Sequence, residues 1–191
     1  MPQDTLIPTL RADDAKERLR AGRTIFELGR LLAEPIAGAW LRDPDLGPLL
    51  STPAVRVTVG VAVEPRTFEE IRAVNGNPRL ADVPPGEDAR EFELHLDGGV
   101  RLDVLTTRSD GEANGGGSGA IARFLKKFGE GIQQVEFEVT SVDRATELLR
   151  TRFHLDPLYP HTRLGADGTR VNFFLAARPD GKKVLIELVE V

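Results

Sequence analysis

The same succession of elements is written into this chain twice, a strand followed by a helix and then by further strands, and that repeat limits the folds open to it. In the first copy Val55 to Val63 (VRVTVGVAV) alternates. Val57, Val59, Val61 and Val63 share one face of a strand, and Arg56, Thr58, Gly60 and Ala62 the other. Thr67 to Asn75 predicts a helix with Thr67 at its cap and Glu70 at the capping-box position. Asn77 to Ala89 holds Pro78, Pro84 and Pro85 and reads as an irregular strand or loop. Arg90 to Leu96 and Val100 to Thr106 predict a hairpin around Asp97-Gly98-Gly99. In the second copy an amphipathic helix over Ala120 to Phe128 precedes a strand over Ile132 to Thr140 and a helix over Ser141 to Thr151 that Ser141 caps. Strands over Arg170 to Ala176 and Lys183 to Val191 follow, separated by an Arg178-Pro179-Asp180-Gly181 turn.

The flanking segments differ. Residues 109–119 (SDGEANGGGSG) have a linker's composition and lack the GxxxxGK[ST] spacing of a phosphate-cradling loop. Residues 1–52 predict short helices: Ala12 to Ala21 ended by Gly22, then one capped by Thr24 that presents Ile25, Leu28, Leu31 and Leu32, with Pro35 stopping it or starting the next. Ile36 to Leu41, with Trp40, is a further apolar piece. The expected organisation is a helical extension (1–52), a first module (53–108), the linker (109–119) and a second module (120–191).

Composition narrows the chemistry. The chain has no cysteine, so disulfides, zinc–thiolate sites and thiol nucleophiles are excluded. A net charge of −5 disfavours nucleic acid and anionic membrane surfaces as partners. Apolar runs are strand-length, well below the ~20 residues that cross a bilayer, and the N-terminus lacks the basic start and apolar run of a secretory signal. A cytoplasmic protein is expected.

The second copy resembles methylmalonyl-CoA epimerase and its relatives in the vicinal-oxygen-chelate (glyoxalase/bleomycin-resistance) superfamily. The resemblance is carried by Ile121-Ala122-Arg123-Phe124-Leu125 through Gly129-Glu130-Gly131-Ile132, then Glu138-Val139 and Val142-Asp143-Arg144-Ala145. It continues through Gly165 to Phe173 (GADGTRVNF) and closes on Val184 to Glu190 (VLIELVE). The first copy matches mainly through Val59 to Val63. The resemblance implies an α+β fold, two tandem βαβββ modules forming a curled mixed sheet around a cup, here with the N-terminal helical extension added. It also implies a divalent metal in the cup, held by side chains on separate strands and suited to proton abstraction beside a carbonyl. Carried over residue by residue, the positions degrade: Thr58 stands for the first-strand histidine, Asp103 closes module one, Gln133 and Gln134 replace paired histidines with Gln134 at the ligand position, and Glu187 survives on the last strand. These are oxygen donors, which favour Mg, Mn or Ca. Glu93 stands near the family's catalytic glutamate, and His95, on its face, is a candidate ligand or base.

Period-two alternation is an independent check. Gln134, Glu136 and Glu138 oppose Val135, Phe137 and Val139, Asp103 and Arg101 oppose Leu102 and Val104, and Glu93 and His95 oppose Phe92, Leu94 and Leu96. The polar residues fall on one face, which suits a site and equally a solvated sheet. Glu187, between Ile186 and Leu188, calls for a partner: a metal, a proton, or an ion pair with Arg56 or Arg101. His154, His161 and the Lys126-Lys127 and Lys182-Lys183 pairs read as surface residues, with a grip on a CoA phosphate the alternative for the lysines.

Two functions follow. One is a metal-assisted isomerase or lyase on a small carboxylate or CoA thioester, with Asp103, Gln134 and Glu187 as ligands helped by His95, and Glu93 and Glu187 as catalytic groups. The other is a non-catalytic small-molecule binding protein. A third, structural role would rest on the N-terminal helices, whose apolar residues cover one side of the cup or form a homodimer contact.

Overall fold

The computed structural model describes residues 3–50, 56–108 and 119–191; Val55 and residues 109–118 of the expected linker lie outside them. The chain forms two compact units, one of Met1–Leu28 and Val59–Gln133, the other of Gly29–Thr58 and Gln134–Val191. No helix among the described residues is long and apolar enough to cross a membrane.

Helices α1 (Gln3–Thr9) and α2 (Ala15–Arg42) open the chain. The short helices expected here are one long helix. Asp14 starts it, its Oδ1 accepting the Lys16 N–H at 2.7 Å. Gly22 does not end it: an added Cβ would sit 2.2 Å from Leu96 Cδ1, so the glycine lets the Leu96 side chain lie close to the helix backbone. Thr24 is no cap either, since its hydroxyl donates to the Arg20 carbonyl one turn back at 2.9 Å. Pro35 is accommodated inside the helix. It removes the bond to the carbonyl of Leu31, a half-exposed residue where water can take that bond.

In the first unit β2 (Arg90–Leu96) runs antiparallel to β3 (Val100–Thr106), which pairs in parallel with β1 (Val57–Ala62) from Val59↔Leu102 to Ala62↔Leu105. The hairpin loop is residues 97–99, with Gly98 and Gly99 both at positive φ. Helix α3 (Pro65–Val74) starts on Pro65 rather than on a Thr67 cap, and Thr67 is buried. Phe68 and Phe92 meet edge-on at 4.7 Å in the core. No strand forms over residues 77–89, where the prolines deny donors to a ladder; one bond, Ala81 N–H to the Glu91 carbonyl at 3.0 Å, ties the segment to β2. This copy is therefore βαββ. Helix α4 (Ala120–Phe128) covers Ala62 and Leu105 with Ile121 and Leu125.

In the second unit β4 (Gly131–Val139) pairs in parallel with β7 (Lys183–Glu190), β7 antiparallel with β6 (Arg170–Ala177), and β6 with the two-residue β5 (Arg163–Leu164). Helix α5 (Val142–Phe153) lies in the connection, its first turn capped by Ser141 Oγ, which accepts the Arg144 N–H. With β5 counted, this copy is βαβββ. One face of its sheet is sealed by a single core of Val135, Phe137, Val139, Val184, Ile186 and Leu188 with Ala145, Leu148 and Leu149 of α5 and Ala33, Ala37 and Trp40 of α2. Trp40 stands edge-on to Phe137 at 5.8 Å. Past α2, Asp43 Oδ1 accepts the backbone N–H groups of Leu46 and Asp45, and both its oxygens accept from Arg152 of α5.

Two outcomes follow. At Gly47 an added Cβ would lie 2.6 Å from the Leu41 carbonyl oxygen, so Gly47→Ala must move backbone. It is expected to lower stability by about 1–3 kcal/mol in urea unfolding. The Asp43 carboxyl is held below its usual value of 3.8, first by the Leu46 N–H against partial desolvation, then by the Asp45 N–H and Arg152. A depressed carboxyl gives stability that is present above its unfolded value and lost as pH falls through the folded one. The stability gap between wild type and Asp43→Asn, read from melts between pH 7 and pH 2, is expected to close below about pH 4.

Candidate functional site

The core facing α5 and α2 dictates what the other side of the second unit's sheet presents. With Val135, Phe137, Ile186 and Leu188 turned inward, the strand period turns Gln134, Glu136 and Glu187 to the opposite face. The register then sets Glu136 opposite Glu187, and Glu187 opposite Phe173 on the third strand. Two carboxylates in that position repel. The Gln134 side chain answers this: its Nε2 donates to Glu187 Oε2 at 2.6 Å and to Glu136 Oε1 at 3.1 Å. Gln134 and Glu187 are 6% and 8% exposed, so both hydrogen-bonding groups work largely out of water. Arg56, an expected ion partner for Glu187, reaches Glu138 instead at 3.8 Å. Thr58 is buried.

Beyond Phe173 the row continues into the loop before β6. Tyr159 stands edge-on to Phe173 at 6.0 Å, and the Arg163 guanidinium lies 4.3 Å over the Tyr159 ring. The loop is fastened by a Leu158 N–H bond to the Phe173 carbonyl at 2.7 Å and by a Pro157–Phe174 bridge.

The remaining expected site residues lie in the first unit. Glu93 pairs with Asp103 and His95 with Arg101 across β2 and β3, so all four share one face. Glu93 is held from both sides, Oε1 by Arg101 at 2.9 Å and Oε2 by His95 Nε2 at 2.7 Å. Asp103 is buried, whereas the His95 side chain is 67% exposed.

Among the described residues no three His, Cys, Asp or Glu side chains come together as a group able to hold a metal ion. The donor chemistry agrees: Gln134 turns its N–H groups, not its carbonyl, toward Glu136 and Glu187, and His95 spends Nε2 on Glu93. The residues assembled here do not fit the divalent metal that the sequence resemblance implies.

An open hollow of about 380 Å³ lies elsewhere in the second unit, lined by Asp143, Thr146, Arg150, His161, Arg170 and Asn172 among others. It holds none of the expected site residues. There the Thr162 hydroxyl, and after it Arg170, lower the Asp143 carboxyl below its usual value, and Arg170 also binds Glu190. These contacts fasten α5 to the end of the sheet.

No family model matches this sequence, and no curated protein does. Solved structures match. Methylmalonyl-CoA epimerase from Mycobacterium tuberculosis is 29% identical, with a TM-score of 0.55 over 74% of this chain and 91% of that one. A methylmalonyl-CoA epimerase in complex with methylmalonyl-CoA and NH4+ is 27% identical, with a TM-score of 0.54 over 71% and 94%. A variant of the Streptomyces coelicolor epimerase in complex with 2-nitronate-propionyl-CoA is 26% identical, with a TM-score of 0.54 over 73% and 95%. The chain is α+β, has the vicinal-oxygen-chelate fold and resembles methylmalonyl-CoA epimerase.

The Gln134 bond is open to measurement. Gln134→Leu takes the donor from Glu187 and Glu136, and is expected to cost about 1–3 kcal/mol in urea unfolding. A change of a few tenths would mean that the amide does not hold the carboxylates.

Proposed function

We propose that this protein is an isomerase-type enzyme acting by proton transfer on a small carboxylate or CoA thioester, with Glu187 the group that carries the proton. The observation behind this is the Glu187 carboxylate, nearly buried on a sheet face and positioned by the Gln134 amide beside a second carboxylate. A carboxylate in such a setting can take a proton from the carbon next to a thioester carbonyl. The C–H electron pair moves into the C–C–O system as an enolate, and delivery of a proton to the opposite face of that carbon restores the thioester as the other isomer. Gln134 fixes where the accepting oxygen points and is the positioning residue. Glu93 is less suited to act as base, since both its oxygens are taken by Arg101 and His95.

One observation favours a second reading, a small-molecule binding protein without catalysis: an amide stands where the resemblance implies an imidazole, and its N–H groups are committed to carboxylates. A cytoplasmic homodimer is the setting proposed with either reading, and light scattering tests the dimer.

One experiment separates the two. The protein, its metal content fixed by elemental mass spectrometry, is incubated with methylmalonyl-CoA in D2O, and α-carbon exchange is followed by proton NMR against an enzyme-free control. The enzyme reading expects exchange above background, reduced at least about 100-fold in Glu187→Gln. No exchange, together with a melting temperature raised by the same compound in metal-free buffer, would establish the binding reading instead.

A further inference from the structure

The hollow beside α5 lies on the other side of the second unit's sheet from Glu187. Asn172 shares its face of β6 with Phe174 and Ala176, which enter the core, whereas Phe173, turned the other way, is the residue opposite Glu187. Asn172 is 1% exposed and borders the hollow. Part of its amide is engaged locally, since Oδ1 accepts the Phe173 N–H at 2.9 Å. Its Nδ2 carries two N–H groups, and their one partner among the described residues is the Thr146 hydroxyl at 3.5 Å, the outer limit of such a bond. A buried amide with its donors so weakly matched is unfavourable for folding alone. The acidic groups of the hollow are already engaged. Asp143 accepts from Thr162 and Arg170, and Glu147 Oε2 accepts from Arg144 at 2.7 Å. The groups left over are donors: no hydrogen bond or ion pair engages Arg150 or His161 among the described residues. Arg150, in the last turn of α5, complements the helix dipole, which explains a charge there and leaves Asn172 unexplained.

We infer that this hollow binds a small oxyanion, the phosphate or carboxylate group of a ligand, with Arg150 supplying the charge and His161 and the Asn172 amide supplying N–H donors. The assignment follows from which groups are unengaged. An oxyanion takes several donors and offers none, and the hollow presents a guanidinium, an imidazole N–H, the Thr146 hydroxyl proton and the remaining amide N–H. A cation is the poorer occupant, because the carboxylates there already hold arginines. The volume of about 380 Å³ is that of a small-molecule pocket. The site stands on the side of the sheet away from Glu187, so the inference goes beyond the proposed function and does not rest on it.

The chain has three histidines, so their imidazole C–H signals can be followed one by one in proton NMR, with His161→Gln assigning the signal at the hollow. The full-length protein is titrated at fixed pH and ionic strength with inorganic phosphate and, separately, with succinate. The expected result is a saturable shift of the His161 signal with at least one of them, while His95 and His154 stay in place. The anion that acts tells a phosphate ligand from a carboxylate one. Arg150→Gln is expected to raise the concentration needed at least about tenfold, the loss of one charge-assisted contact. Asn172→Asp, which puts a carboxylate in place of the amide donors, is expected to abolish the shift. Circular dichroism checks that it is folded, and Arg150→Gln, altered at an exposed position, tests the site if it is not. Glu187→Gln is expected to respond as the wild type does, whatever the outcome of the exchange experiment. No saturable shift with either anion, an unchanged midpoint in Arg150→Gln, or loss of the response in a folded Glu187→Gln would overturn the inference.

Discussion

The burial of one face of the second unit's sheet is the constraint from which its chemistry follows. Val135 and Phe137 on β4, with Ile186 and Leu188 on β7, pack against α5 and Trp40, and each is almost wholly removed from water. Because a strand repeats every two residues, a one-residue slip of β4 or β7 would drive Glu136 or Glu187 into that core and expose the valines and leucines. The energy that fixes the register is thus hydrophobic, and the placement of Gln134, Glu136 and Glu187 is its consequence. Those three need no interaction of their own to be brought together.

Packing along its length, with its first half in one unit and its second half in the other, accounts for α2. A helix with an internal glycine and an internal proline is a poor helix by propensity, and each residue alone suggests a boundary. Tertiary packing overrides both. Ile25, Ala33, Ala37 and Trp40 are buried along its length, and the glycine lies where Leu96 needs the space. Propensity describes a helix in isolation and has no term for a neighbour that selects Gly for its missing Cβ.

Legibility in the sequence followed the range of the interaction. The hairpin of β2 and β3, the Ser141 cap of α5 and the polar faces of the strands are determined within a few residues, and alternation or turn chemistry places them. Glu136 was visible on the polar face as well, but its pairing with Glu187 was not, because parallel register depends on contacts fifty residues apart. Tyr159 carried no periodic signal, lying in a loop whose position comes from backbone bonds to β6. Phe128 read as one more apolar residue of an amphipathic helix; its exposure depends on where the helix ends against the sheet, which no local pattern records. His95 is a candidate ligand or base by sequence and meets Glu93 in the structure, since a strand pattern places a side chain on a face without saying which neighbour it will bind.

The outer margin of β6 has a bearing on the life of the protein in a crowded cell. A strand with an unpaired side is an invitation to another chain, and stacking of such edges is how ordered aggregates begin. Here Pro157, the Leu158 amide and the two residues of β5 lie along β6 and take up that side, and proline has no donor with which to recruit a further strand. The stretch that carries Tyr159 against Phe173 is therefore also a guard rail. A nick within it would strip that cover and leave the side of β6 open to pairing with another chain.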